Sequence, residues 1–205
     1  MIFHKHPEMD GSHSFLSPSQ SSRFNYDEEK LIKTYSNIQK VERGTDLHAL
    51  AESIIRFNLE HKLDIPITLA HKGTAFDMYV NDAIRFKMTP EVHLYFSYYC
   101  NGTADAIKFE NNFLRIHDLK TGDKPVTSFG QLERYAALFL LEYGTELNIT
   151  PFDISYEFRI YQDNERKVSK PEPNVIAETM NYIMWASMVL EDKFGKKGEL
   201  QWIEN

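Results

Sequence analysis

Residues 102–122 read GTADAIKFENNFLRIHDLKTG, and this stretch decides the fold. Two runs of alternating β-forming residues flank Asn111-Asn112, a pair that tolerates positive φ and suits a two-residue hairpin turn. With that turn, Phe109 faces Leu114, Ile107 faces Ile116, and Asp105 faces Asp118. Side chains alternate along a strand, so these six share one face, and Lys120 joins them. Lys108, Arg115 and His117 fall on the other face, which reads as the wet one. An apolar stripe thus ends in two carboxylates and an amine on the core-facing side. Like charges opposed across strands destabilise a sheet, and burial weakens their screening. A divalent cation bridging the two carboxylates reverses that sign. A turn shifted by one residue would instead point one acid outward.

The remaining elements follow from periodicity. Ser17 caps a short helix with Pro18 at its first position, and Asp27 to Ile38 is helical. Thr45 is the N-cap of a helix running to His61, with an apolar stripe of Leu47, Leu50, Ala51, Ile54 and Ile55. A second helix spans Thr74 to Met88 and is stopped by Pro90; Val92 to Tyr99 is a strand. Residues 103–109 and 113–120 are the hairpin strands. Ser128 to Tyr143 is a helix closed by Gly144. Ile154, Tyr156, Phe158 and Ile160 mark a half-buried strand, and Asn174 caps a last helix through Met188. The order is helix, three strands, helix, strand, helix, an α/β domain around a mixed sheet. No internal repeat is present. Residues 1–40 read as an N-terminal extension with short helices, and 41–205 as one globular unit.

Composition narrows the function classes. The chain has 205 residues, 23 basic and 30 acidic side chains and a net charge of −7. That length supports one well-cored domain. The acidic balance disfavours coating nucleic acid through bulk charge, though not through bound metal and a local basic patch. The lone cysteine, Cys100, excludes a disulfide framework, a four-cysteine zinc site and a cysteine-ligated iron–sulfur cluster. No apolar run is long enough for a membrane span, and the first residues lack a signal core, so a cytoplasmic protein with no membrane partner is expected. The sequons at Asn101 and Asn148 are then accidental.

On the first full helix, His48 and Glu52 lie four residues apart on one face. Imidazole is a good ligand for transition metals and acceptable for manganese. A helix-start histidine satisfied by the backbone, and a solvated glutamate, are the bland readings. Lys120 shares Asp118's face, which favours a role in the pocket over a surface lysine. Gln131 and Tyr135 lie one helical turn apart, although Ser128-x-x-Gln131 also fits a capping box. Arg23, Lys124 and Arg134 are candidates for phosphate contacts, and surface charge accounts for each equally. Met180, Met184 and Met188 read as core packing; Trp185 and Trp202 read as anchors.

Taken together, these segments resemble the PD-(D/E)XK nuclease superfamily, within it the RecB-like and lambda-exonuclease-like branch. Gly44-Thr-Asp-Leu-His48-Ala-Leu-Ala-Glu52 is similar to the branch's glycine–histidine helix. Gly102-Thr-Ala-Asp105 resembles its first acidic strand, and Asp118-Leu-Lys120-Thr-Gly122 its Asp-x-Lys signature. Gln131-Leu-Glu-Arg-Tyr135 matches its Gln-x-x-x-Tyr helix. The resemblance spans roughly residues 44 to 143. It implies a restriction-endonuclease-like core, a central mixed β-sheet flanked by helices. It also implies a magnesium- or manganese-dependent deoxyribonuclease, an exonuclease of DNA recombination or repair, using one or two ions. Asp105, Asp118 and Lys120 would be catalytic. His48, Asp105, Asp118 and the carbonyl of Leu119 would hold metal. Gln131 and Tyr135 would contact nucleic acid, and Glu91 is a further acidic position. DNA is the implied partner, with a homo-oligomer or a recombination protein left open. Two rivals stand beside this: a silent nucleic-acid- or partner-binding module on the same fold, and a hydrolase of RNA or small phosphate compounds. No Walker loop is present, so no motor is fused to the domain.

Overall fold

The computed structural model describes residues 1, 3–4, 14–19, 21–32, 46–63, 73–121 and 125–195. Among these, α1 (Asp46–Glu60) and α2 (Ala75–Arg85) precede β1 (Thr89–Ser97), β2 (Cys100–Glu110) and β3 (Phe113–Lys120). Helix α3 (Gly130–Leu147), β4 (Ser155–Gln162), β5 (Glu165–Ser169) and α4 (Pro173–Phe194) follow. The strands form one mixed sheet in the order β1-β2-β3-β4-β5. Only β3–β4 is parallel. A parallel pair needs a long crossover, and α3 supplies it. The architecture is α/β, a five-stranded mixed sheet flanked by helices.

The β2–β3 hairpin has the expected register. Ile107 pairs with Ile116 and Phe109 with Leu114, around a turn in which Asn111 and Asn112 have φ of 52° and 54°. Those angles are what a type I′ turn requires. Ile107, Leu114 and Ile116 join Leu132, Ala136, Phe139 and Ile183 in a core with α3 and α4.

The other face of the sheet corrects the expectation of a wet surface. His117 is fully buried, and Ala106, Leu119 and Tyr161 pack with Ala51, Ile55, Tyr79 and Val80 of α1 and α2. Tyr161 donates to Asp82 Oδ2 (2.7 Å), and the same oxygen accepts from Arg159 (2.7 Å) and Arg166 (3.0 Å). Since the single Tyr161 proton goes to Asp82, His117 Nδ1, 3.2 Å away, is the donor to the Tyr161 oxygen. Burial first, then Arg159, Arg115 and Arg166, hold His117 neutral by lowering its pKa far below the usual value.

Several boundaries differ from those read in the sequence. Pro90 lies inside β1, not at a stop, because the chain enters the sheet at Thr89. Thr74 does cap α2: its Oγ1 accepts the Asp77 N–H (3.2 Å), a bond worth about 1 kcal/mol. Helix α3 starts at Gly130 on Phe129 with no side-chain cap, so Ser128 makes no capping box. It passes through Gly144 and ends on Asn148 in the left-handed region (φ 52°, ψ 49°). Helix α4 starts at Pro173 on Glu172 rather than on Asn174. Ser17 is buried outside any helix; a 3-10 turn occupies Ser21–Asn25 instead. Asp27 caps a helical turn over 28–32, and its continuation to Ile38 lies outside the described residues. So do Gly44, Thr45, Gly122, Lys124 and Trp202.

Two apolar stripes are not buried as expected. On α1, Ala51 and Ile55 face the core while Leu47 and Leu50 are half exposed. On α4, Met184 and Met188 are exposed. Strand β5, ERKVS, was too polar to read, and the Asp163-Asn164 turn before it was the overlooked signal.

Phe15, Leu16, Phe24 and Leu31 belong to the main core. The described part of the first 40 residues therefore packs against the sheet and α3. Leu16 N–H donates to Tyr99 O (2.6 Å), and Ser14 Oγ bonds the Asn101 backbone. A Cβ on Gly102 would lie 2.8 Å from Pro18 Cδ and 2.9 Å from Ser17 Oγ, so the close approach of this segment requires glycine there.

Candidate metal and catalytic site

At one end of the sheet the pairing opens around three acids on successive strands. Glu91 falls opposite Asp105, between the pairs Pro90–Ala106 and Val92–Ala104. The β2–β3 ladder stops at Ala106–His117, one residue short of Asp105 and Asp118. There Asp105 Oδ2 accepts the Leu119 N–H at 2.7 Å. A carboxylate has replaced a backbone acceptor, which turns Asp105 toward β3 where the β2–β3 ladder ends. Glu91 has φ of 47°, an unusual value for a non-glycine residue in a strand.

Helix α1 adds the nitrogen. His48 Nδ1 lies 3.5 Å from Asp105 Oδ2 and 4.0 Å from Glu91 Oε1. His48, Glu91 and Asp105 each offer one donor atom, all within 4.8 Å of one another. Asp118, only 2% exposed, completes the acidic row from β3. Lys120 Nζ lies 3.0 Å from Asp118 Oδ1 and 2.9 Å from Oδ2, and donates to Gln131 Oε1 at 2.6 Å. Gln131 in turn bonds the Tyr135 hydroxyl.

The electrostatics follow from burial. Asp105 is pushed well above the usual carboxylate range by burial, then by Asp118 and Glu91. Burial also raises Asp118, against the pull of Lys120. Glu91 rises to about 7 through burial and the neighbouring Glu52. Burial lowers His48, which favours the neutral imidazole that can ligate metal. Three acids and one ammonium leave an excess of negative charge once ionised, the condition a divalent cation corrects.

The donor set fits such an ion. Asp118 is buried with the Lys120 ammonium 2.9 Å from Oδ2, one positive charge set among three carboxylates. Carboxylate oxygens with one imidazole suit magnesium or manganese. The Leu119 N–H leaves β3 toward Asp105, and in an extended strand the carbonyl of the same residue leaves on the same side.

The site thus brings together His48, Asp105, Asp118, Leu119, Lys120 and Gln131. Tyr135 is 3% exposed, and its hydroxyl meets Gln131 from within. Glu91 was undervalued in the sequence because Pro90 read as a stop; three residues of extra strand, Thr89 to Glu91, put it level with Asp105. Glu52 bonds Arg56 (2.7 Å), whose guanidinium also donates to Pro90 O (3.2 Å), fastening α1 to β1 beside the site. Arg23 donates to Phe15 O (2.9 Å), and Arg134 caps the Phe24 ring at 4.5 Å. Both arginines bind the N-terminal segment.

No family model matches the chain, and no curated protein matches its sequence. Among solved structures it is similar to one titled "Crystal structure of SSO0001", at 15% identity, covering 78% of this chain and 85% of that one, with a TM-score of 0.34. Among the described residues no helix is long and apolar enough to cross a membrane.

Proposed function

We propose that this protein is a metal-dependent deoxyribonuclease of the RecB-like, lambda-exonuclease-like branch of the PD-(D/E)XK superfamily, attacking DNA from its ends in recombination or repair. The observation that carries the reading is the convergence of Asp105, Asp118 and Lys120 with His48 at one sheet end. A cytoplasmic location and DNA as partner belong to the same reading.

Phosphodiester hydrolysis needs a strong nucleophile at neutral pH and relief of charge on phosphorus. A bound magnesium or manganese ion supplies an ionised water and a Lewis acid for the phosphate. His48, Glu91, Asp105 and Asp118 would hold it. Lys120, fixed between Asp118 and Gln131, sets a positive charge at the pocket edge without reorganisation, where it stabilises developing negative charge or orients water. Gln131 keeps that ammonium in place, and Tyr135 keeps Gln131 in place. The Leu119 N–H fixes the orientation of the Asp105 carboxylate.

The test is digestion of linear and circular DNA with magnesium or manganese, with and without chelator. Linear DNA is degraded, circles are spared, and chelator stops the reaction. Asp118→Ala abolishes it, and Lys120→Ala slows it sharply. Unchanged activity in those variants rejects the site. Salt-sensitive DNA binding without cleavage under any divalent ion supports the silent binding module instead.

A further inference from the structure

A pocket of about 340 Å³ lies beside the proposed centre, and we infer that it receives the base and sugar of one nucleotide flanking the scissile phosphate. This rests on the nuclease reading and deepens it. Its floor is Ile160 and Gln162, which pair across the ladder with Asp118 and Lys120. Paired residues of adjacent strands share a face, so the floor lies on the catalytic side, one strand spacing (about 4.8 Å) from the acid and the lysine. Lys167 and Glu165 of β5 pair with the same two residues and carry the floor one strand further. Pro125, before α3, closes one side, and the adjacent Val126 is fixed there. Its N–H donates to Gln162 Oε1 (2.8 Å) and its carbonyl accepts from Lys167 Nζ (2.9 Å).

The lining selects the occupant. The volume is at the small end of ligand sites, about 300–1,000 Å³, and suits one nucleoside rather than a longer stretch. Pro125, exposed at the pocket wall, offers an apolar surface for a ring. Asp163 and Glu165 outnumber Lys167, whose ammonium is already engaged by Val126 O. A phosphate is repelled by such a lining. A neutral base whose amino group donates to a carboxylate or to Asn164 is favoured, so adenine, cytosine and guanine bind better than thymine, which has no amino group.

The experiment measures kcat/KM on end-labelled oligonucleotides in manganese, with one position beside the cleaved bond varied through the four bases. Wild type favours the amino-bearing bases by about tenfold at one position, the scale of one charge-assisted hydrogen bond. The double variant Asp163→Asn, Glu165→Gln reduces that ratio severalfold. Asn164→Trp, at an exposed turn, fills the pocket and raises KM with kcat nearly unchanged. Cleavage with no base preference, and a KM unmoved by Asn164→Trp, overturns the pocket and leaves the nuclease reading intact. If wild type cleaves no DNA, that reading falls. Saturation-transfer NMR with deoxyadenosine then decides the pocket: a signal removed by Asn164→Trp supports it, and none overturns it.

Discussion

The Asp105 carboxylate accepts the Leu119 N–H at 2.7 Å, taking the place of a backbone acceptor where the β2–β3 ladder ends. The bond ties an acid of one strand to the backbone between the acid and the lysine of the next. It explains how Asp105 stays oriented while crowded by Asp118 and Glu91, and it makes the site sensitive to charge.

That crowding predicts a pH dependence for the metal-free protein. Glu91 titrates near 7 when folded, against about 4.5 unfolded. Between those values the folded state holds more protons than the unfolded state, so stability falls as pH rises from about 4.5 to about 7 and then levels. The raised Asp105 and Asp118 act in the same direction. The lowered His117 and His48 work in the opposite sense over the same range, so the effect is read against a variant: in chelator, Glu91→Gln should gain stability over wild type between pH 5 and pH 8, by up to about 3 kcal/mol. A stability difference between Glu91→Gln and wild type that does not grow from pH 5 to pH 8 contradicts the crowded, ion-free cluster.

Metal addition should reverse the penalty. At 100 times its dissociation constant, manganese stabilises the fold by about 2.7 kcal/mol, roughly 5–10 °C at this chain length. Asp105→Ala and Glu91→Gln should lose most of that shift in thermal melts at pH 8. Equal shifts in wild type and both variants place the ion elsewhere.

Lys120 and Gln131 should separate by degree. Lys120→Ala removes the ammonium and is expected to lower kcat by about 10²–10³. Gln131→Ala removes only the 2.6 Å support and should cost about tenfold or less, mostly in kcat. Single-turnover rates distinguish this from a binding role, which would appear in KM.

On the opposite face, Asp82 is the stability determinant. One oxygen receives Arg159, Arg166 and Tyr161. Asp82→Ala removes the shared acceptor, leaving Arg159 only Glu157, and should destabilise by about 3 kcal/mol. Tyr161→Phe should cost about 1–3 kcal/mol. Denaturant titrations in chelator measure both, away from any metal effect.

The hairpin was legible because its turn and its alternation agree: two asparagines take positive φ, and each apolar residue meets another across the strands. His117 and Arg115 were misread because a strand pattern cannot say whether helices cover its second face. Here α1 and α2 do, and paired charges around Asp82 replace apolar side chains. The Met184 and Met188 spacing was helical, but spacing shows which residues share a face and not whether anything covers it. The capping box lost Gln131 to Lys120, a long-range partner that no local pattern contains. Glu91 is visible in the sequence as a further acidic position, but Pro90 before it reads as a stop; an edge strand tolerates proline, and β1 therefore includes both. The His48 position relative to Asp105 depends on how α1 crosses the sheet end, which the sequence does not encode locally.

Anomalous diffraction from a manganese-soaked crystal is the most direct measurement. The account predicts a peak within ligand distance of Asp105, among His48, Glu91 and Asp118, and no peak there in Asp105→Ala crystals. Those side chains pointing apart, with manganese absent or bound elsewhere, contradict the account.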